Sequence, residues 1–471
     1  GSGAGNRNDP LARLGRTARR TYSVSGKRLE LVGVVRDGKP DVSQIEMSDQ
    51  VVFEEAPDPG AKEAPLQVKA DRLRVVDADT PSAKIDIIGR APAGGDAGEM
   101  AQITARGATL RAPQIAIIRG RSQVQIESPG EVQLLVDRDL SGEPLARPEP
   151  LTITWTKWMR LDRDRLIFRG DVLCENASGW LRTRQLGVGL SQELTFDGSK
   201  GGGRPEVIQI DCSEGVVAEF DQRDATGITS HQHVELVSIL ANQKTGEIRG
   251  EGPGWIESVH LAKGKNPLAA IAAPGGAPAD APGSAGQKLR HLRVDFARGV
   301  GGNVHQRMVT LLGDVRAVYG PVDSWEQRLQ RAVGAGPGPN VVWLSSDELR
   351  VGESPLARVN RPANASGLAE LELSALGNVT IEGQVPGRGL FAANASRASY
   401  DEFKAMFILE GDKDHPAIIR HQAYVGAPYS ENVARKLTYF QRTGEVTEEG
   451  VHKMEFNQFD IGRPPSATQQ R

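Results

Sequence analysis

VTLLGDVRAVYG, residues 309–320, decides the reading of this chain. A short apolar stretch runs into Gly313 and Asp314 and resumes at Val315, so a strand is broken at its centre by two residues that favour turns. The phrase returns as LIFRGDVLCEN (166–176) and LELSALGNVTIEG (371–383), while KAMFILEGD (404–412) ends alike but lacks the valine. Side chains alternate along a strand, so Leu166, Phe168 and Val172 share one face of the first copy and Arg165, Ile167 and Arg169 the other. A glycine in mid-strand fits a bulge or a tight bend where the strand turns a corner.

A second phrase accompanies the first: ADRLRV (70–75), TRQLGV (183–188) and SDELRV (346–351), with SRASYD (396–401) as a weaker copy. Each unit is thus a strand, a polar turn and a second strand. One such hairpin cannot bury its apolar face alone, so successive hairpins must stack and share a continuous apolar interior. Further short β-branched or alternating runs occur at Gln123–Ile126, Leu151–Trp155 and Val379–Ile381. The expected fold is all-β: an elongated antiparallel array of stacked hairpin repeats.

Two features interrupt the array. Ser324 and Gln327 have capping-box spacing, Trp325, Leu329 and Val333 would share a helix face, and Gly334 would end it, which predicts one short helical insertion over about 324–333. AKGKNPLAAIAAPGGAPADAPGSAG (262–286) is Ala/Pro/Gly-rich without periodicity and reads as a linker or long loop. The expected layout is a basic leader (1–20), a β region (21–261), the linker (262–287), a second β region with the helix (288–462) and a tail (463–471).

The 471 residues exceed what one hydrophobic core organises, and 54 Gly with 28 Pro suit short strands and tight turns better than long helices. Lys and Arg (57) nearly balance Asp and Glu (60), so nothing argues for a nucleic-acid partner. No apolar run reaches the length of a transmembrane helix, and Gly1-Ser2-Gly3 reads as a cut boundary that leaves room for an export signal upstream. Cys174 and Cys212 leave a single disulfide and a pair of buried thiols both open.

Catalytic and metal chemistry find little purchase. His231 and His233 alternate and could face one side with Cys212 as a third ligand, but a polar strand face accounts for them without a metal. The adjacent acids Glu54-Glu55, Asp401-Glu402 and Glu448-Glu449 point to opposite faces of a strand, wrong for an acid–base pair, and read as solvated edges. GVGGN (299–303) lacks the Lys-Ser/Thr of a phosphate loop and reads as a turn. No catalytic residue, metal or cofactor is expected.

GNVTIEG (377–383), then ASRASYDEFKAMFILEGD (395–412), then ARKLTYFQRTGEVTEEG (434–450) resemble in words and order the OstA/LptA-like lipopolysaccharide-transport proteins. Asn378, Val379, Tyr400, Asp401, Leu409, Gly411, Leu437, Tyr439, Thr443 and Gly444 carry the likeness. The resemblance is clearest over about 340–460, good over 150–190 and 290–320, and weaker over 21–135; greater length, the linker and the helix insertion depart from a compact member. It implies a β-taco or open jelly roll in which two antiparallel sheets flank an apolar groove for acyl chains. It also implies a periplasmic or cell-envelope setting, lipopolysaccharide or a similar amphipathic lipid as ligand, and other β-taco proteins as partners through edge-strand addition. The groove would be lined by Leu166, Phe168, Val172, Leu311, Val315, Leu373, Val379, Ile381, Phe407 and Leu409, although the same residues would equally fill a sealed core. A ligand-free envelope scaffold joined through its end strands is the alternative. A carbohydrate-active β-solenoid enzyme, with acids projecting from successive rungs, is the third reading.

Overall fold

The structure, a computed structural model, describes residues 22–454 apart from 37–38, 56–64, 78–79, 81, 92–97, 106, 139–143, 195–204, 225–226, 263–287, 332–335, 355–370, 386–388, 402–403, 423, 425–426 and 441–444. Nearly all of it is antiparallel β-structure, as expected from the sequence. Ala262 closes a strand; the rest of the expected linker, the leader and the tail lie outside the described residues.

The chain divides into two units. The first holds residues up to 136, 148–172 and 190–206, and the second holds 137–147, 173–189 and everything from 207 onward. In chain order the strands begin with β1 (Tyr22–Ser25), β2 (Arg28–Arg36), β3 (Lys39–Glu55), β4 (Gln67–Val76), β5 (Lys84–Ile88), β6 (Ala101–Ala105) and β7 (Ala108–Ala112). There follow β8 (Gln114–Ile118), β9 (Gln123–Ile126), β10 (Gly130–Arg138), β11 (Pro144–Trp155), β12 (Trp158–Asp162) and β13 (Arg165–Asn176). Next come β14 (Gly179–Leu190), β15 (Val207–Asp224), β16 (Gly227–Leu236), β17 (Ser238–Asn242), β18 (Glu247–Glu251), β19 (Gly254–Ala262), β20 (Lys288–Phe296) and β21 (Gly299–Asn303). The last are β22 (Met308–Pro321), β23 (Val342–Glu353), β24 (Leu371–Val385), β25 (Gly389–Asp401), β26 (Met406–Glu410), β27 (Ala417–Gln422), β28 (Ser430–Phe440) and β29 (Glu445–Met454).

In each unit, long strands belong to two antiparallel branches at once. In the first unit β4 pairs with β5 through Arg72–Val76 and with β6 through Gln67–Lys69; one branch continues β5–β8–β9–β12–β13 and the other β6–β7–β10. In the second unit β15 opens both branches: β17–β18–β21 in one, β16–β19–β20 in the other. They meet again on β22, and β23, β24, β25 and β28 carry both onward to β29.

Where a long strand passes between branches it carries the break seen in VTLLGDVRAVYG. Gly313 and Asp314 have φ of 80° and 44°, Gly170 and Asp171 80° and 37°, and Gly377 and Asn378 72° and 47°. Two residues stand against one of the neighbour: Leu312 pairs with Glu348 and Val315 with Ser346, leaving Gly313-Asp314 opposite Asp347. Glycine is needed at the first position, since a Cβ on Gly313 would stand 2.6 Å from Arg298 Cγ and one on Gly377 2.3 Å from Asp347 Oδ2. Asp or Asn at the second tolerates the left-handed conformation better than other side chains. Two further copies escaped the sequence reading because their residues differ: Asp49-Gln50 (φ 65° and 64°) and Glu214-Gly215 (φ 66° and 96°). In all five the next residue is a buried valine: Val51, Val172, Val216, Val315 or Val379.

The second phrase is the neighbour's side of the same joint. Asp71 of ADRLRV faces Asp49-Gln50, Asp347 of SDELRV faces Gly313-Asp314, and Ser396 of SRASYD faces Gly377-Asn378. Asn378 Nδ2 donates to Asp347 Oδ2 at 2.8 Å. The buried hydroxyls that open two of the phrases close the kink locally: Ser346 donates to the Glu348 carbonyl (2.9 Å), Thr183 to the Gln185 carbonyl (3.2 Å).

Two expectations are corrected. GVGGN is a strand, β21, because glycine lets neighbouring backbones close in: a Cβ on Gly299 would lie 2.4 Å from Gly250 O, and one on Gly302 2.3 Å from Met308 O. The helix over 324–333 does not form in its described part, which is a turn at Trp325-Glu326 followed by irregular chain to Arg331. Gln327 Oε1 reaches back as a capping residue would but accepts from the N–H of Asp323, one residue before the expected cap, at 2.7 Å. Beyond it the bonds a helix needs go elsewhere: the Trp325 carbonyl accepts from Arg328 Nη1 (2.6 Å), and the Leu329 N–H donates to His291 Nδ1 (3.4 Å). Leu329 packs on buried Val318, Val341 and Trp343, and tertiary contacts override local propensity. Among the described residues, no helix is long and apolar enough to cross a membrane.

Candidate functional site

Alternation and register gather the apolar side chains of the second unit into rows across one face. The most deeply buried row is Leu311, Leu349, Ala375, Ala398, Leu409 and Leu437, one residue from each of β22, β23, β24, β25, β26 and β28. In the other branch Ala317, Leu344, Ile381 and Ala393 form an equivalent buried row, with Val315 and Val379 beside the bulges between them. In the first unit Leu166 pairs with Leu161 and Phe168 with Met159, and the Phe168 ring meets Trp155 at 5.3 Å. Of the ten residues expected to line a groove, Leu311, Val315, Leu373, Val379, Ile381, Phe407 and Leu409 therefore share one face of the second unit. Leu166, Phe168 and Val172 lie in or next to the apolar row of the first. All are buried except Leu166 and Leu373, which are half-buried.

Burial along this face is uneven. One row toward the strand ends, Ile210–Ala241–Ile248 and Val309–Val351–Leu373 are half-buried or exposed; the row then closes at Tyr400, Phe407 and Tyr439. In the first unit the rows end at β2, which among the described residues pairs with β3 alone. Leu29 pairs with Met47 and Leu31 with Ile45, yet Leu29 is 54% and Leu31 60% exposed. Sequence reasoning missed these two because β2 matches neither repeated phrase; the alternating Leu29, Leu31 and Val35 were the available signal.

The opposite face of the second unit is polar and internally paired. His231 Nδ1 lies 2.9 Å from Asp221 Oδ1, and His233 Nδ1 3.1 Å from Glu219 Oε1. His233 also stacks on Trp255 at 4.5 Å, and Arg293 lies over that ring at 4.2 Å. The bond from His231, assisted by Arg223, holds the Asp221 carboxyl below its ordinary range despite some desolvation. The histidines share this face as their spacing requires, whereas Cys212 belongs to the apolar face, so the three do not converge. Among the described residues no group of three or more His, Cys, Asp and Glu is placed to hold a metal ion. Burial pushes both cysteine thiols up to about 12, which keeps them protonated, and neither is in a disulfide.

The 322–331 excursion lies over the same polar face. Glu257, nearly buried, receives the Arg328 Nε–H and faces His291 Nε2 at 3.3 Å. Desolvation opposes the Glu257 charge, but His291 and Arg328 outweigh it and hold its carboxyl below the usual range. Burial drives the fully enclosed His291 below its ordinary value, only partly offset by Glu257. Its Nδ1 accepts from Leu329, so the neutral ring carries its proton on Nε2, toward Glu257.

No protein-family model matches the chain, and no curated protein matches it. The adjacent acids need one correction, since two of them are not solvated. Asp401 is buried, accepting from the Ser354 hydroxyl and the Lys404 N–H. Glu448 continues the Leu409–Leu437 row, with one oxygen accepting from Asn432 and the other enclosed without a partner.

Proposed function

We propose that this chain is a non-enzymatic cell-envelope protein that binds or conducts lipopolysaccharide or a similar amphipathic lipid on its apolar β face. The observation that carries the reading is the run of half-buried and exposed apolar residues, Ile210, Ala241, Ile248, Val309, Val351 and Leu373, continuous with a fully buried row. Such a margin offers a seat to an acyl chain, which gains about 0.8 kcal/mol per methylene buried along it. The ordered phrases shared with OstA/LptA-like proteins favour the same reading and a periplasmic setting. Native mass spectrometry of the chain with lipopolysaccharide is the test: the expected result is a stoichiometric adduct that Leu373→Lys weakens at least tenfold, and no adduct overturns the proposal.

A second reading has its own observation. The exposed Leu29 and Leu31 on β2, which among the described residues pairs on one side only, suit addition of a strand from another β-taco protein, as a scaffold joined through its end strands requires. Self-association without lipid, abolished by Leu31→Pro, would favour it.

A further inference from the structure

The apolar face of the second unit has a polar end. Beyond Ala218, Val234, Ile256 and Val294 the same side of β15, β16, β19 and β20 carries Phe220, Gln232, Ser258 and Leu292. The next row is Gln222, Ser230, His260 and Arg290. Hydroxyls, an imidazole and a guanidinium thus replace aliphatic side chains at one margin.

These groups are gathered and incompletely satisfied. Ser230 Oγ is 3.3 Å from Ser258 Oγ and accepts from Gln232 Nε2 at 3.4 Å; Ser258 Oγ is 3.5 Å from His260 Nδ1. The Tyr319 ring stacks on His260 at 6.3 Å and receives Arg290 over its face at 5.8 Å. Arg290 Nε is shut off from solvent with no acceptor, and among the described residues no carboxylate pairs with Arg290 or His260. Elsewhere in this unit a part-buried arginine answers an acid: Arg293 meets Asp295 and Arg328 meets Glu257. A guanidinium with a buried, unanswered N–H beside hydroxyls and an imidazole is the donor set that oxyanions recruit.

We propose that Arg290, His260, Ser230 and Ser258 form an oxyanion site at the end of the apolar face, which takes the phosphate head group of the amphipathic lipid whose acyl part lies on that face. The site deepens the lipid-binding reading and rests on it. Arg290 supplies the fixed charge, the two serines donate, and His260 adds a second charge when the anion arrives. In the ligand-free protein burial, with Arg290 and His291 nearby, holds the His260 pKa below its ordinary value, so an anion must raise it.

The test titrates the intact chain with lysophosphatidic acid, the matching monoacylglycerol and inorganic phosphate, following binding and the His260 imidazole by NMR. The site predicts that lysophosphatidic acid binds at least tenfold tighter than monoacylglycerol and raises the His260 pKa. Arg290→Gln abolishes both effects without altering monoacylglycerol binding, and Arg290→Lys partly restores them. Equal binding of the two lipids, or an equal loss for both in Arg290→Gln, overturns the oxyanion site while leaving the lipid face standing. A response to phosphate that depends on Arg290, with neither lipid bound, supports the site and overturns the lipid reading. Failure of all three ligands overturns both.

Discussion

The N-terminal edge of the first unit and the last strands of the second solve the same problem in opposite ways. At β2 the apolar rows run to the end of the pairing and stop with leucines more than half exposed. At β29 the row of Leu409 and Leu437 meets Glu448, a carboxylate whose pKa burial raises and Asn432 only partly lowers again. A charge facing inward on a terminal strand discourages another chain from extending the row. Among the described residues the first edge thus leaves its apolar rows open and the second closes its row with an acid, while the 322–331 excursion covers the second unit's polar face.

The contrast predicts unequal costs. Leu409→Ala, in the closed row, should lower stability by about 3 kcal/mol, whereas Leu31→Ala at the open edge should cost under about 0.5 kcal/mol, both read by urea unfolding; equal costs would erase the distinction. Glu257→Ala should cost about 3 kcal/mol by leaving Arg328 and His291 facing an empty site, and a change below about 1 kcal/mol would show that the excursion is not held there.

Acid should loosen the same cover. The folded His291 pKa lies below the unfolded value near 6.5, so the unfolded chain takes up its proton first. The His291 contribution to stability is complete above pH 6.5 and is lost as pH falls from there through the lower folded value. Thermal melts between pH 7.5 and 5.5 should show a loss that His291→Gln reduces. Gly313→Ala should cost about 1–2 kcal/mol from strain at positive φ and crowding against Arg298. The smallest effect belongs to Glu448→Gln. A raised carboxyl pKa destabilises the fold above it, so this variant should be slightly more stable at pH 7 and no different well below pH 4. Glu448→Leu should also promote self-association seen by size exclusion.

What was legible in the sequence was legible for local reasons. Gly-Asp-Val and Gly-Asn-Val mark the joints because only a few residue types accept two successive positive φ values, and the valine after each is buried by alternation. Asp49-Gln50 and Glu214-Gly215 meet the same geometry with other residues, so no phrase betrayed them. The helix candidate carried capping-box spacing, but the Arg328 side chain took the Trp325 carbonyl and His291, from a distant strand, took the Leu329 N–H. The oxyanion cluster was illegible because its members sit on three strands joined by register alone, and no local spacing links Ser230, His260 and Arg290.

The account stands or falls on whether the half-buried margin of the apolar face receives acyl chain. A photo-crosslinking residue at Leu373, with a second at the neighbouring outward position Arg350 as comparison, tests this directly in the full chain with lipopolysaccharide. Attachment of lipid at 373 and none at 350 is the predicted result; no attachment at 373, or equal attachment at both, would contradict it.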